Sequence, residues 1–512
     1  MKNRELTPNE RNGANSHVPF DFSPFKQSRQ AVEGITPEDF LKEVQAIQKR
    51  FGPLPHSDVL KALLDKVKRI DFREQAGLQD EKESLKKKHY LVTAIEELLT
   101  LARINNWGLC KKYDFIYLYN GAFWSLLSDD ELTGFLGDAG EKMGIDKFDC
   151  RHYLFKDQLY KQFLSAAHLP EPLRPDNRVL INLKNGTFEV TPDGGKICNF
   201  NRNDFITYQL PFEYNPSAKA PMFEAYLDRV LPDKECQYIL AEYLGYIFTR
   251  HLKLEKTLLL YGTGANGKSV FFEVVNALLG KENVTSYSLQ SLTNETGYYR
   301  AKLANALLNY ASEINGRLET SIFKQLVSGE PVEARLPYGD PFTLTQYARL
   351  IFNCNELPKE VEHTIAFFRR FLIIPFRETI PEHEQDKELA NKIIKNELSG
   401  VFNWVLEGLA RLLSQKGFSR SEAVEEQLME YRKQSDSVQL FLEEEGYEKH
   451  EYETDVSALK MSFFYGEYKA FCIDNNYHAV SKINFKKRLS NIGFYIPPRT
   501  KMGYVVYARK EQ

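Results

Sequence analysis

The chain has 512 residues, of which 43% are hydrophobic and 27% charged, which is enough for a core and excludes a wholly disordered or collagen-like chain. At ~100–200 residues per domain, this length predicts about three domains. The net charge of −3 excludes a polybasic chain, so any nucleic-acid site must come from local concentration of positive charge.

No run approaches the ~20 apolar residues that cross a bilayer. The start, from Met1 to Asn9, is polar and lacks the apolar centre of a secretory signal. A cytoplasmic protein with no membrane partner is expected. The cysteines (Cys110, Cys150, Cys198, Cys236, Cys354, Cys472) are scattered, without the close pairs of a zinc ribbon or the setting of a disulfide framework.

Residues 1–34 read as a disordered tail rich in Asn, Ser, Pro, Arg and Glu. An aromatic cluster at Phe20, Phe22 and Phe25 leaves open a motif that folds on a partner. A helical region, 35–107, begins at Thr36, with Pro37 at the first helical position and Glu38 and Asp39 at the positive end of the dipole. The charged run from Asp80 to Lys88 reads as a solvated face or hinge. An α+β region, 108–250, follows. It carries two hairpin signals, Asn120-Gly121 between alternating aromatic runs and Asn185-Gly186 between Leu180 and Val190, then helices to about His251. Residues 251–400 alternate apolar strand-like runs with helices, the pattern of a βαβ ATPase core. Residues 401–434 read as a helical connector and 435–512 as a small mixed α/β module. In that module Ser481 caps and Gly493 ends a helix, and strand-like runs Phe494–Ile496 and Tyr504–Tyr507 flank a basic turn.

The strongest chemical signal is Gly262-Thr263-Gly264-Ala265-Asn266-Gly267-Lys268-Ser269, which satisfies G-x₄-G-K-[ST] in full. It follows the apolar run Thr257–Tyr261 and opens a helix at Val270. Glycines let backbone N–H groups curl inward onto phosphate oxygens, and the helix N-terminus adds partial positive charge. Lys268 then reaches the β- and γ-phosphates of ATP, and the Ser269 hydroxyl binds Mg²⁺.

Downstream, Ala306–Ala311 reads as a second strand ending at Ser312-Glu313. Glu313 is placed to polarise the attacking water and hold the metal's water shell, while Ser312 sits where many P-loop enzymes carry a metal-binding Asp. A third strand, Ala348–Asn353, leads to Asn355, preferred over Asn353 as the amide that senses the γ-phosphate. Arg369 and Arg370 lie among aromatics before the run Phe371–Phe376 and suit an arginine finger reaching a neighbour's nucleotide. The plainer alternatives are an ordinary strand-end carboxylate, a turn-forming Asn and a structural ion pair.

In this order, these elements resemble a superfamily 3 helicase, and in particular the ATPase half of phage and plasmid primase-helicases and the related poxvirus primase-helicase. The resemblance rests on Tyr261–Ser269, Phe323–Arg335, Ala348–Pro358 and Arg369–Phe376, with Glu242-Tyr-Leu-Gly-Tyr246 upstream, and covers roughly residues 108–510. It implies an α/β fold: an AAA+-like P-loop ATPase core with a helical/α+β N-terminal region and a C-terminal winged-helix-like module. It implies a homo-oligomeric ring, a hexamer, that moves 3′→5′ along single-stranded DNA and unwinds forked DNA to replicate a phage, plasmid or other mobile element. An AAA+ loader or remodeller on DNA is the alternative. Lys268, Ser269, Glu313, Asn355 and Arg370, with Arg369 the close alternative to Arg370, take the family's phosphate, metal, acid, sensor and finger positions.

The resemblance also assigns DNA contacts. A hairpin from Val332 to Thr345 corresponds to the family's channel hairpin, with Arg335 for phosphates, Tyr338 for base stacking and Lys324 at a basic position nearby. Asp340 at its tip departs from the Lys that relatives often carry. The segment 481–510 holds eight Lys/Arg and no Asp or Glu. Of these, Lys486, Lys487 and Arg488 lie on the recognition-like helix, and Arg499 and Lys501 in the wing turn. No D-x-D pattern marks a primase active site, so primer synthesis is expected from a separate primase, with an initiator as a further partner.

Overall fold

The computed structural model describes residues 53–78, 83–112, 115–168, 178–191, 194–249, 251–312, 314, 318–358, 362–450, 458–475, 477–499 and 503–510. The expected tail, the helix begun at Thr36, Glu313 and Lys501 lie outside these residues.

The helical start consists of His56–Lys66, Phe72–Gln75 and Lys87–Ile104. Residues 83–86 of the charged run are a non-helical link, since the last helix begins only at Lys87. Two small antiparallel sheets follow. The first runs β1 (Gly108–Lys112), β2 (Phe115–Tyr119) and β3 (Trp124–Leu127), and the second β4 (Val179–Leu183), β5 (Gly186–Thr191) and β6 (Gly194–Cys198). The Asn120 side chain accepts from the Ala122 and Phe123 N–H groups, which makes the turn that Asn-Gly predicts. The second hairpin turns at Asn185, with Gly186 at φ +143°. Strands β1 and β6 carry no alternating pattern of their own, and each is recruited by an adjacent strand. The buried Asn182 amide donates to the Ala122 carbonyl at 3.0 Å, tying one sheet to the other.

The centre is a parallel sheet in the order β13-β7-β12-β9-β8. Its strands are β7 (Thr257–Tyr261), β8 (Val284–Thr285), β9 (Leu308–Ala311), β12 (Arg349–Cys354) and β13 (Phe371–Pro375). Both faces are covered, which explains why its strands read as continuous apolar runs. On one side Leu258, Leu260, Ile351, Leu372 and Ile374 pack into a core. On the other, Leu259, Leu350, Phe352, Phe371 and Ile373 pack into a second core. Between β9 and β12 a separate hairpin projects, β10 (Val332–Arg335) paired with β11 (Pro341–Leu344).

The stretch 401–434 is not a free-standing connector. Helix Leu398–Gln415 crosses helix Lys234–Tyr246, and both belong to the first core. Glycines allow the approach: a Cβ on Gly408 would sit 2.3 Å from the Ala241 carbonyl carbon, and one on Gly245 2.7 Å from Leu409 Cβ. The buried Glu242 carboxylate seals the crossing by accepting from Ser419 N at 2.8 Å and Arg411 Nε at 3.3 Å.

The C-terminal module has its own apolar cluster. A sheet of order β14-β16-β15, comprising β14 (Tyr447–Lys449), β15 (Ala458–Lys460) and β16 (Val505–Lys510), packs with helices Met461–Asp474 and Lys482–Ile492. Ser481 caps the second helix through Asn484 N, and Gly493 ends it at φ +101°. The expected strand at Phe494–Ile496 does not form. Only Tyr495 contributes, its carbonyl accepting from Tyr507 N at 3.1 Å.

Candidate functional site

The loop after β7 turns through positive φ at Gly264 (+121°), Ala265 (+47°) and Gly267 (+84°) before helix Lys268–Leu279. Side chains and backbone from distant elements set its shape. Asn266 Nδ2 donates to Phe376 O at 3.2 Å, Ile380 N donates to Ala265 O at 2.7 Å, and the Tyr226 hydroxyl donates to Gly267 O at 2.8 Å. Lys268 is 7% exposed, and its Nζ donates to Gly262 O at 2.6 Å and Asn266 Oδ1 at 3.0 Å. Both acceptors are neutral, so among the described residues the ammonium has no hydrogen-bonded counter-ion, and burial pulls its pKa below the ordinary lysine value. An oligophosphate supplies the missing negative charge, so the loop and Lys268 fit such a ligand.

This loop floors a cleft of about 890 Å³. Ser269 and Val270 lie on its floor, and Ser312, Asn353 and Asn355 line one side. The insertion of β12 between β7 and β9 brings these strand tips together. The Asn353 amide oxygen already accepts from the buried Tyr310 hydroxyl at 2.9 Å, whereas Asn355 is exposed. Cys354 between them stays a thiol, since burial pushes its pKa up to about 12.

The opposite wall was not legible as part of the site. It comprises Met222, Ala225, Tyr226, Arg229 and Val230 of helix Pro221–Val230 facing Ile380, Glu384, Leu389 and Ala390. Arg229 and Glu384 form an ion pair between these two segments. The only available signal was Pro221 opening a helix whose apolar residues recur at helical spacing.

Arg369 and Arg370 do not line the cleft of their own chain. Arg369 has a 57% exposed side chain and pairs with Glu255 at 2.6 Å. Arg370 is 7% exposed, donates to Ser328 Oγ at 2.9 Å and to Ala366 O, and lies 3.5 Å from Glu255. Within one chain Arg370 therefore does not project, and Arg369 is the exposed member of the pair.

The β10–β11 hairpin exposes Tyr338 completely, at φ +61°, and Arg335 Nε is turned to the Gly339 carbonyl at 2.8 Å. Lys324 is held by Glu362 at 2.6 Å. In the C-terminal module Lys487 and Arg499 are exposed, and Lys486 Nζ sits 3.3 Å from the Tyr504 ring centroid. Arg488 is turned inward to Asp436 at 3.1 Å. No helix among the described residues is long and apolar enough to cross a membrane.

Three family profiles match the chain: "D5 N terminal like" over residues 98–232, "Family of unknown function (DUF5906)" over 260–370, and "Poxvirus D5 protein-like" over 433–509. "Putative helicase L207/L206" of Acanthamoeba polyphaga mimivirus is 23% identical over 325 residues, 56% of this chain and 33% of that protein. "Putative helicase 121R" of Invertebrate iridescent virus 3 is 22% identical over 321 residues, 53% of this chain and 33% of that protein. The matched part thus spans about a third of each viral protein. The apo C-terminal region of NrS-1 is similar at a TM-score of 0.44 and 12% identity, covering 84% of this chain and all of that one. Profiles of the D5 type over residues 98–232 and 433–509, with helicase-named viral relatives similar over about half of the chain, support a D5-type primase-helicase family.

Proposed function

We propose that this chain is the ATP-hydrolysing motor of a superfamily 3 DNA helicase with an AAA+-like core and a winged-helix-like C-terminal module. The observation that carries the reading is the cleft at the tips of β7, β9 and β12, where Lys268, Ser269, Asn353 and Asn355 meet around an anion-shaped loop. Lys268 and the N–H groups at the helix start hold the triphosphate of ATP. The Ser269 hydroxyl would hold Mg²⁺, which would supply positive charge to neutralise the phosphates. Glu313 activates the lytic water and Asn355 reads the γ-phosphate.

The finger comes from a neighbouring copy in a ring, a hexamer in this reading, and exposure favours Arg369 over the buried Arg370. Tyr338 and Arg335 on the hairpin grip one strand, with Lys487, Arg499 and Lys501 contacting phosphates from the C-terminal module. ATP turnover then draws single-stranded DNA through the ring 3′→5′ and opens forks, working with a separate primase or initiator.

Lys268→Ala is expected to abolish DNA-stimulated ATP hydrolysis and strand displacement from a forked duplex together. Hydrolysis at the unmodified rate in that variant rejects the site. The second reading, a loader or remodeller that turns over ATP without unwinding, draws support from the engagement of Lys324 and Arg488 with carboxylates, which removes two expected DNA cations. ATP turnover by the unmodified chain without displacement, in a ring-competent sample, decides for it.

A further inference from the structure

We propose that Tyr226, on a helix that precedes the phosphate loop by some forty residues, is a positioning residue for that loop and thereby tunes phosphate affinity. The proposal rests on the nucleotide site described above. Three observations converge on it. The Tyr226 side chain is 4% exposed, and its hydroxyl donates to the Gly267 carbonyl at 2.8 Å. The ring and Val230 press on Gly267 itself: a Cβ there would lie 2.7 Å from Val230 Cγ1 and 3.0 Å from Tyr226 Cε2. The helix that carries both is not free to move. Glu397, 5% exposed and at the start of helix Leu398–Gln415, accepts from the Met222 and Phe223 N–H groups at 3.0 Å each.

The consequence follows from peptide geometry. In a planar trans peptide the carbonyl of Gly267 and the N–H of Lys268 point in opposite directions. The carbonyl already accepts from Val270 N at 2.9 Å and Phe271 N at 3.2 Å, both within the helix, and the Tyr226 hydroxyl is a third donor that reaches it from another element. Holding that carbonyl from two sides fixes the Lys268 N–H toward the loop, where it is one of the unpaired donors at the helix start that meet an anion. Without the hydroxyl, the peptide between Gly267 and Lys268 rocks, and the Lys268 N–H contacts phosphate for a smaller fraction of the time.

The test is Tyr226→Phe in the full chain, which keeps the ring and its packing and removes one neutral hydrogen bond. The KM for ATP is expected to rise about fivefold, the net worth of one such bond, with kcat within twofold. Inorganic tripolyphosphate, used as a competitive inhibitor, is expected to weaken by the same factor. The unfolding midpoint is expected to stay within about 2 °C of the unmodified chain. An unchanged KM overturns the proposal. So does a loss for ATP without a loss for tripolyphosphate, which makes Tyr226 a base or ribose contact. Absence of nucleotide binding in the unmodified chain removes the site reading itself, and this proposal with it.

Discussion

Gly267→Ala tests whether the phosphate loop is shaped by its surroundings or by its own sequence. Gly267 sits at φ +84°, ψ −9°. An L residue in the left-handed region costs ~1–2 kcal/mol. The new methyl would lie 2.7 Å from Val230 Cγ1, against the ~3.5–4.0 Å of an ordinary carbon contact, so about 1 Å must be found by moving a well-anchored helix. Overpacking of this kind costs ~1–3 kcal/mol. The sum, about 2–5 kcal/mol, falls on the conformation that binds phosphate, and apparent affinity drops with the competent fraction. At about 1.4 kcal/mol per tenfold, nucleotide binding should weaken by about 30-fold to a few thousandfold. The assay is equilibrium titration with a fluorescent ATP analogue, with thermal unfolding alongside to exclude global collapse. Adding Val230→Ala removes the nearest atom and should recover roughly tenfold of the loss, a coupling that independent sites do not give. Binding by Gly267→Ala within threefold of the unmodified chain refutes the reasoning. Strict additivity in the double variant refutes the role of the helix contact.

Glu242→Ala should destabilise the chain by ~3–5 kcal/mol, because it leaves the Ser419 N–H and Arg411 without their buried carboxylate. A urea midpoint shift at unchanged slope measures this, and a loss under ~1 kcal/mol means the helix crossing does not depend on the carboxylate. His363 gives a pH dependence. Its burial, only partly offset by Asp436, lowers its pKa below the ordinary 6.5. The unfolded chain therefore takes up a proton that the folded chain refuses as pH falls through about 6.5, and stability declines in that window. His363→Gln should flatten the change in unfolding midpoint between pH 7.5 and 5.5, and an equally steep change in the variant assigns the effect to other groups.

Much of the molecule was written locally. Asn120-Gly121, Asn185-Gly186, Ser481 and Gly493 each act within four residues, and each produces the turn or helix end it predicts. Strands β7, β12 and β13 were legible because burial on both faces demands unbroken apolar runs. Strands β1 and β6 were not legible, because pairing with a neighbour selected them rather than their own pattern. The strand-like run Phe494–Ile496 shows the converse, an apolar segment that found burial at Phe494 without a full ladder.

The Gly262–Ser269 motif, on which the proposed phosphate site rests, is legible in the sequence alone, since its residue types and spacing lie within eight residues. Which of the expected cations remain available was settled only by tertiary packing. From the sequence, Lys324 and Arg488 read as DNA contacts and Arg370 as a finger, with a structural ion pair as its alternative. Yet Glu362 lies 38 residues from Lys324, Ser328 42 from Arg370 and Asp436 52 from Arg488, and folding brings each to its cation. Tyr226 reaches Gly267 across 41 residues in the same way. A hydrogen bond or ion pair forms over about 3 Å of space whatever the distance along the chain, so partnership, unlike propensity, cannot be read from neighbours in the sequence.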